Sequence, residues 1–360
     1  MNKYIFIIIC LVTLVGCTRV KEQVILHTNS EIEYWGRINF SEREGAKLYW
    51  SGTSIKMNFK GTSVKALLKD SKGDNYYNVI IDNEVTQIIR PDTTKQYYQL
   101  ASNLPEGKHT VELFKRTEWD RGVSTFYGFK IDKGGKALPK SSSKKRTIEF
   151  YGNSITAGYA VDDIEDRDRP DSIFTNHYKS YAAITARHFD AKFHAICKSG
   201  IGITISWFPL TMPELYDRLI PDQPNSRWDF SKYKPDVVVV NLFQNDSWLV
   251  DMLNREEFKA IFGNKPPEDD YLITSYEKFI IKLRQHYPET YIICMLGNMD
   301  ATELESKWPG LVSKAVANLK DDKIYTHFVP YKNTPNHPTE KEQREIAKSL
   351  IHFIENTIIW

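Results

Sequence analysis

Four short segments carry the residue types that acyl transfer requires. Gly152-Asn153-Ser154-Ile155-Thr156 follows an apolar run and reads as a tight strand-to-helix turn. Such a turn exposes a serine hydroxyl and points the serine amide into the same space, which suits a nucleophile that also stabilises an oxyanion. A helix N-cap serine has the same local sequence. Ser199-Gly200-Ile201-Gly202 offers glycine amides that a substrate oxygen can approach without Cβ interference, or simply a turn. Asn241-Leu242-Phe243-Gln244-Asn245-Asp246 offers a side-chain amide, or an Asn-Asp turn bonding its own backbone. Asn336-His337-Pro338, in a stiffened loop before the last helix, offers a base.

The elements around these segments form two textures. Residues 31–132 read as all-β, with short alternating runs at 32–40, 47–50, 54–59, 63–68, 76–81, 97–100, 109–114 and 125–131, punctuated by turns such as Asp82-Asn83. Strands at this spacing predict a sandwich or jelly roll. Residues 133–145, rich in Gly, Pro, Ser and Lys, read as a linker. From residue 146 apolar strands at 147–151, 193–197, 236–242, 290–296 and 324–329 alternate with amphipathic stretches at 178–189 and 271–285. The run Val237-Val238-Val239-Val240 is apolar on both faces, as a central parallel strand is. Thr339-Glu340-Lys341-Glu342 forms a capping box ahead of Ile346, Leu350 and Ile354, spaced four apart. An α/β/α domain over 146–360 follows, its site expected beyond the carboxyl ends of parallel strands.

The order Ser, Gly, Asn, His in these blocks resembles the SGNH (GDSL-type) hydrolases. The resemblance implies Ser154 as nucleophile, Gly200 and Asn245 as oxyanion donors with the Ser154 amide, and His337 as base. The front half, through Gly36-Arg37-Ile38-Asn39-Phe40, Trp50-Ser51-Gly52-Thr53-Ser54-Ile55, Phe59-Lys60-Gly61-Thr62-Ser63-Val64 and the stretch from Gly107 to Glu118, resembles the N-terminal jelly roll of carbohydrate esterase family 2. That family joins such a sandwich to an SGNH domain and removes acetyl esters from polysaccharides such as xylan and mannan. The resemblance therefore implies a serine esterase acting on acetylated polysaccharide or oligosaccharide, with no metal or cofactor. Three positions depart from the pattern. Asn153 replaces the Asp of Gly-Asp-Ser. Phe243-Gln244 replaces Gly-Thr, which suggests that Phe243 narrows the acyl pocket or packs into the sheet, and makes both residues candidates for substrate contact. Thr334 stands where an Asp usually precedes the histidine, so the expectation is a Ser–His dyad oriented by a backbone carbonyl.

The remaining composition narrows the alternatives. Lys3, the apolar run 4–15 and Leu14-Val15-Gly16-Cys17 resemble a bacterial lipoprotein signal, which implies removal of residues 1–16, lipidation of Cys17, a tether over 17–30, and a membrane-anchored exported protein in the periplasm or at the cell surface. A formal charge of +2 with scattered Lys and Arg argues against a nucleic-acid surface. Cys197 and Cys294 sit in apolar runs and read as buried thiols. His177, His188 and His194 lack a ligand spacing and read as surface or core residues. Rival readings are an SGNH esterase for a cell-wall glycan or lipid ester, and a glycan-binding lipoprotein with a retired site. In the latter, Trp35, Trp50, Trp119 and the Tyr76-Tyr77 pair would stack on sugars.

Overall fold

Period-two alternation builds the first half of the chain. The structure, a computed structural model, describes residues 21–141 and 144–360, so the expected signal and Cys17 lie outside the described residues. Twelve short strands form the sandwich: β1 (Glu22–Leu26), β2 (Ile32–Trp35), β3 (Ile38–Asn39), β4 (Ala46–Leu48), β5 (Ser54–Lys60), β6 (Val64–Asp70), β7 (Tyr77–Ile81), β8 (Glu84–Ile89), β9 (Gln96–Ala101), β10 (Lys108–Lys115), β11 (Ser124–Lys133) and β12 (Lys136–Leu138). One sheet runs β3-β4-β11-β6-β9 with β1 beside β11; the other runs β12-β5-β10-β7-β8 with β2 beside β5. Every pair in both sheets is antiparallel. Alternate residues such as Ile55, Met57, Phe59, Val111, Leu113, Phe126 and Phe129 fill the space between them.

Three differences from the sequence reading have one cause. β1 lies within the expected tether, β12 within the expected linker, and β8 was not anticipated. All three are edge or appended strands, β1 and β8 mostly exposed and β12 at most half-buried, so they carry no apolar alternation. Asp82 and Asn83, both at positive φ, make the turn that joins β7 to β8. The single run expected over 32–40 splits at Gly36, so that β2 joins one sheet and β3 the other.

The second half is a five-stranded parallel sheet in the order β14-β13-β15-β16-β17, with β13 (Arg146–Gly152), β14 (Ala191–Cys197), β15 (Val237–Asn241), β16 (Tyr291–Leu296) and β17 (Ile324–Phe328). The helices are α1 (Ser154–Ala157), α2 (Tyr181–His188), α3 (Met212–Leu215), α4 (Gln244–Leu249), α5 (Glu256–Phe262), α6 (Asp269–His286), α7 (Trp308–Leu319) and α8 (Glu340–Thr357). The four valines of β15 divide between two cores. Val237 and Val239 face α2 and α8, and Val238 and Val240 face α6 and α7. Ile346, Leu350 and Ile354 of α8 are fully buried, each worth roughly 1.5–3 kcal/mol of transfer free energy. Thr339 and Glu342 form the capping box that starts this helix.

The two halves are joined by buried polar contacts. Arg37 leaves the sandwich at the β2–β3 bend and donates to Glu149 Oε1 (3.0 Å), the Tyr151 hydroxyl (3.1 Å) and the carbonyls of Tyr216 (2.6 Å) and Arg218 (3.1 Å). The other Glu149 oxygen accepts from Tyr151 (2.7 Å) and Tyr287 (2.6 Å). Burial alone would raise the Glu149 carboxyl, but Arg37, then His194 and Tyr287, bring it down to about 2. Gly52, at φ +72°, lies so close to the His177 ring that a Cβ there would come within 2.7 Å of it.

Candidate active site

The register of the parallel strands brings the predicted segments to one edge. Gly152 aligns with Cys197 on one side and Asn241 on the other, so the chain leaves three adjacent strands at one level. Strand order also reverses here, with β14 and β15 flanking β13, the topological position where open α/β sheets hold their ligands.

Ser154 opens the short helix α1. Asn153 caps it through Oδ1, which accepts from the Ile155 amide at 3.0 Å. An amide oxygen does this as a carboxylate would, so the Asn-for-Asp departure leaves the turn intact. Gln343 of α8 clamps the same turn, donating to the Ile155 carbonyl (2.9 Å) and accepting from the Tyr181 amide (2.8 Å). Ser154 is thereby held with its Oγ 2.8 Å from Nε2 of His337.

His337 sits on a braced loop. Lys332, its side chain 2% exposed, donates to the carbonyls of Thr334 (3.0 Å) and Pro335 (2.5 Å) and to the Thr334 hydroxyl (2.6 Å). The imidazole Nδ1 lies 2.7 Å from Oδ2 of Asp168, and the His337 amide donates to both carboxylate oxygens (3.0 and 3.2 Å). This corrects the expectation of a dyad oriented by a backbone carbonyl. The carboxylate comes from a loop 169 residues earlier in the chain, not from the residues beside the histidine. Asp163 shapes that loop by accepting from the amides of Glu165, Arg167 and Arg169 and from the Arg169 guanidinium, and Asn336 ties it to the histidine loop through the Asp166 carbonyl (2.6 Å). Partial burial would raise the Asp168 carboxyl, but the hydrogen bond and charge of His337, with Lys332 behind it, hold it below its ordinary range. An Asp/Arg-dense stretch shortly after the serine block was the only trace of this loop in the sequence.

Two backbone amides remain free beside the serine. Among the described residues, those of Ser154 and Gly200 donate to no protein acceptor. Gly200 adopts φ +84° and packs against Trp207 and Phe208, where a Cβ would lie 3.3 Å from both. Asn245, 3% exposed, donates one N–H to the Ile201 carbonyl (2.8 Å) and accepts from Trp207 Nε1 (3.1 Å), leaving its second N–H available.

The neighbouring residues differ from expectation. Phe243 does not border an acyl pocket. At φ +84° its ring turns into the core, 4.8 Å from Tyr276 and 5.1 Å from Trp308, fully buried. The left-handed backbone accounts for the glycine usual at this position. Gln244 is not a substrate contact either, because its side chain is spent on Asp300 Oδ1 (2.6 Å) and the Ala301 amide (3.3 Å) and is buried. Trp50 and Tyr77 are buried, which removes them from any sugar-stacking surface. His177 stacks on Phe114 and Phe193, His194 on Tyr233, and His188 meets Glu355 at the surface. Cys197 and Cys294 are buried free thiols.

A hydroxyl, an imidazole and a carboxylate in series, with unpaired amides beside the hydroxyl, can deprotonate a serine and hold an oxyanion. Comparison with known proteins agrees with this chemistry. Residues 34–140 match the family model "Carbohydrate esterase 2 N-terminal". A solved family two carbohydrate esterase from Clostridium thermocellum, in complex with cellohexaose, is 32% identical, superimposes with a TM-score of 0.79, and aligns over 90% of this chain and 98% of that one. The chain belongs to carbohydrate esterase family 2. The chain is also 37% identical to the cellulase/esterase CelE of Acetivibrio thermocellus, over 92% of this chain and 40% of CelE. It is 23% identical to an acetylxylan esterase / glucomannan deacetylase of Cellvibrio japonicus, over 93% of this chain and 91% of that one.

Proposed function

We propose that this esterase removes O-acetyl groups from a polysaccharide or its oligosaccharides by an acyl-enzyme mechanism centred on Ser154. The observation that carries the reading is the unbroken hydrogen-bond series from Ser154 Oγ through His337 to Asp168. The carboxylate on Nδ1 requires the ring proton there, which leaves Nε2 unprotonated and facing the serine. Ser154 Oγ attacks the acetyl carbonyl as Nε2 takes its proton. The oxyanion receives the Ser154 and Gly200 amides and the free N–H of Asn245. His337 then protonates the departing sugar oxygen, and a water, deprotonated by the same ring, releases acetate and restores Ser154.

Support for the substrate class comes from the relatives, one of them an acetylxylan esterase / glucomannan deacetylase and another solved with cellohexaose. An intact Ser154–His337–Asp168 series speaks against a retired, binding-only site. The test is acetate release from acetylated xylan and glucomannan, with Ser154→Ala as control. Export and anchoring through a lipid on Cys17 belong to the same proposal, since the only support is the Leu14–Cys17 sequence. Cys17→Ser is expected to release the protein from membranes or leave its signal uncleaved. Unchanged detergent partitioning and mature mass would refute it.

A further inference from the structure

We propose that Glu118, a side chain of the sandwich, fixes the Ser199-Gly200 turn of the catalytic domain and so acts as a positioning residue for the oxyanion site. The inference rests on the esterase reading above. Glu118 follows β10 in the connection to β11 and is 1% exposed. Its carboxylate accepts from Ser199 at both ends, from the amide (2.5 Å) and from the hydroxyl (2.6 Å). Charge-assisted bonds of this kind are about twice as strong as neutral ones, and two to one residue fix orientation as well as distance.

The other backbone hydrogen bonds of the turn come from within its own domain. The Lys198 amide donates to the Gly152 carbonyl (3.2 Å) and the Ile201 amide to the Lys198 carbonyl (3.2 Å). Ser199 alone has its amide turned to the sandwich, and the next amide, that of Gly200, is the unpaired one. The sandwich segment is itself anchored. Nζ of the buried Lys115 donates to the carbonyls of Thr117 (2.7 Å) and Glu118 (3.0 Å). Arg116 and Arg121 reach from the same segment to the carbonyls of Ile173 and Pro170 (2.9 Å each), just past the Asp168 loop.

An anionic carboxylate one residue from an oxyanion site would oppose the charge that develops there. Lys198, 3.5 Å from Glu118 and 2.9 Å from Asp120, offsets part of that charge.

Full-length Glu118→Gln and Glu118→Ala test the role. Misplacing a catalytic group by an ångström costs about 100-fold. Accordingly kcat on p-nitrophenyl acetate should fall about 10-fold in Glu118→Gln and about 100-fold in Glu118→Ala, with KM within about threefold of wild type. Hydrogen exchange of residues 198–204 should rise while the parallel strands stay protected. Unchanged exchange at 198–204, kcat within twofold of wild type, or a kcat loss matched by the loss of fluorophosphonate-titratable sites would each overturn it. If Glu118→Ala does not fold, Glu118→Gln decides. A wild-type protein that releases no acetate would count against the esterase reading, and the exchange measurement would still decide whether Glu118 fixes the turn.

Discussion

Replacing Asp168 probes the feature that sequence alone hid. Its carboxylate accepts three hydrogen bonds in one place: from ring Nδ1 at 2.7 Å, and from the His337 amide through both oxygens, at 3.0 and 3.2 Å. Asparagine has one acceptor oxygen and one amide nitrogen. With the nitrogen toward the ring, it donates to Nδ1 and forces the tautomer whose Nε2 proton faces Ser154. With the nitrogen toward the backbone, it meets the His337 N–H donor to donor. In a dry triad, loss of the correct tautomer costs about 10,000-fold in kcat. Here the Asp168 side chain is 27% exposed, so water can take part of the load. We therefore expect Asp168→Asn to lose about 100- to 1000-fold in kcat, about 3–4 kcal/mol. Asp168→Ala, which admits a water able to accept from Nδ1–H, should lose less, about 10- to 100-fold. The assay is kcat on p-nitrophenyl acetate, with thermal melts to show an intact fold. A kcat for folded Asp168→Ala within threefold of wild type would show that something else orients the ring.

Two further outcomes follow from buried groups. Phe243→Gly removes a fully buried ring, at about 3–5 kcal/mol for a Phe truncation, and relieves a left-handed backbone worth about 1–2 kcal/mol. A net loss of roughly 1–4 kcal/mol in stability is expected with an unchanged butyryl-to-acetyl ratio, and a shifted ratio in folded protein would put the ring back at the acyl pocket. Glu149→Gln strands the buried Arg37 and should cost about 3–5 kcal/mol. Because the folded Glu149 carboxyl is depressed to about 2 from 4.5, its contribution is full above pH 4.5 and lost as pH falls toward 2. The stability gap between wild type and Glu149→Gln should therefore narrow across that window, and a gap independent of pH would contradict the assignment.

Much of the candidate site could be read in advance because the order of its Ser, Gly, Asn and His blocks resembles that of the SGNH hydrolases. Ser154, Gly200 and Asn245 follow three strands whose apolar runs are plain in the sequence, and the capping box at Thr339 fixed where the loop bearing His337 ends. What stayed hidden depends on distance through space. Asp168 and Glu118 act on residues 169 and 81 positions away, through loops with no periodicity. Phe243 was ambiguous because its direction depends on a positive φ that its residue type does not advertise. The edge strands β1, β8 and β12 escaped because exposed backbone pairing leaves no apolar pattern.

The most direct test of the central claim is acetate released from acetylated xylan and glucomannan by wild type, Ser154→Ala and His337→Ala, all shown to be folded. The account predicts steady release by wild type and a loss of at least about 1000-fold in each variant. Release by folded Ser154→Ala at the wild-type rate would contradict it.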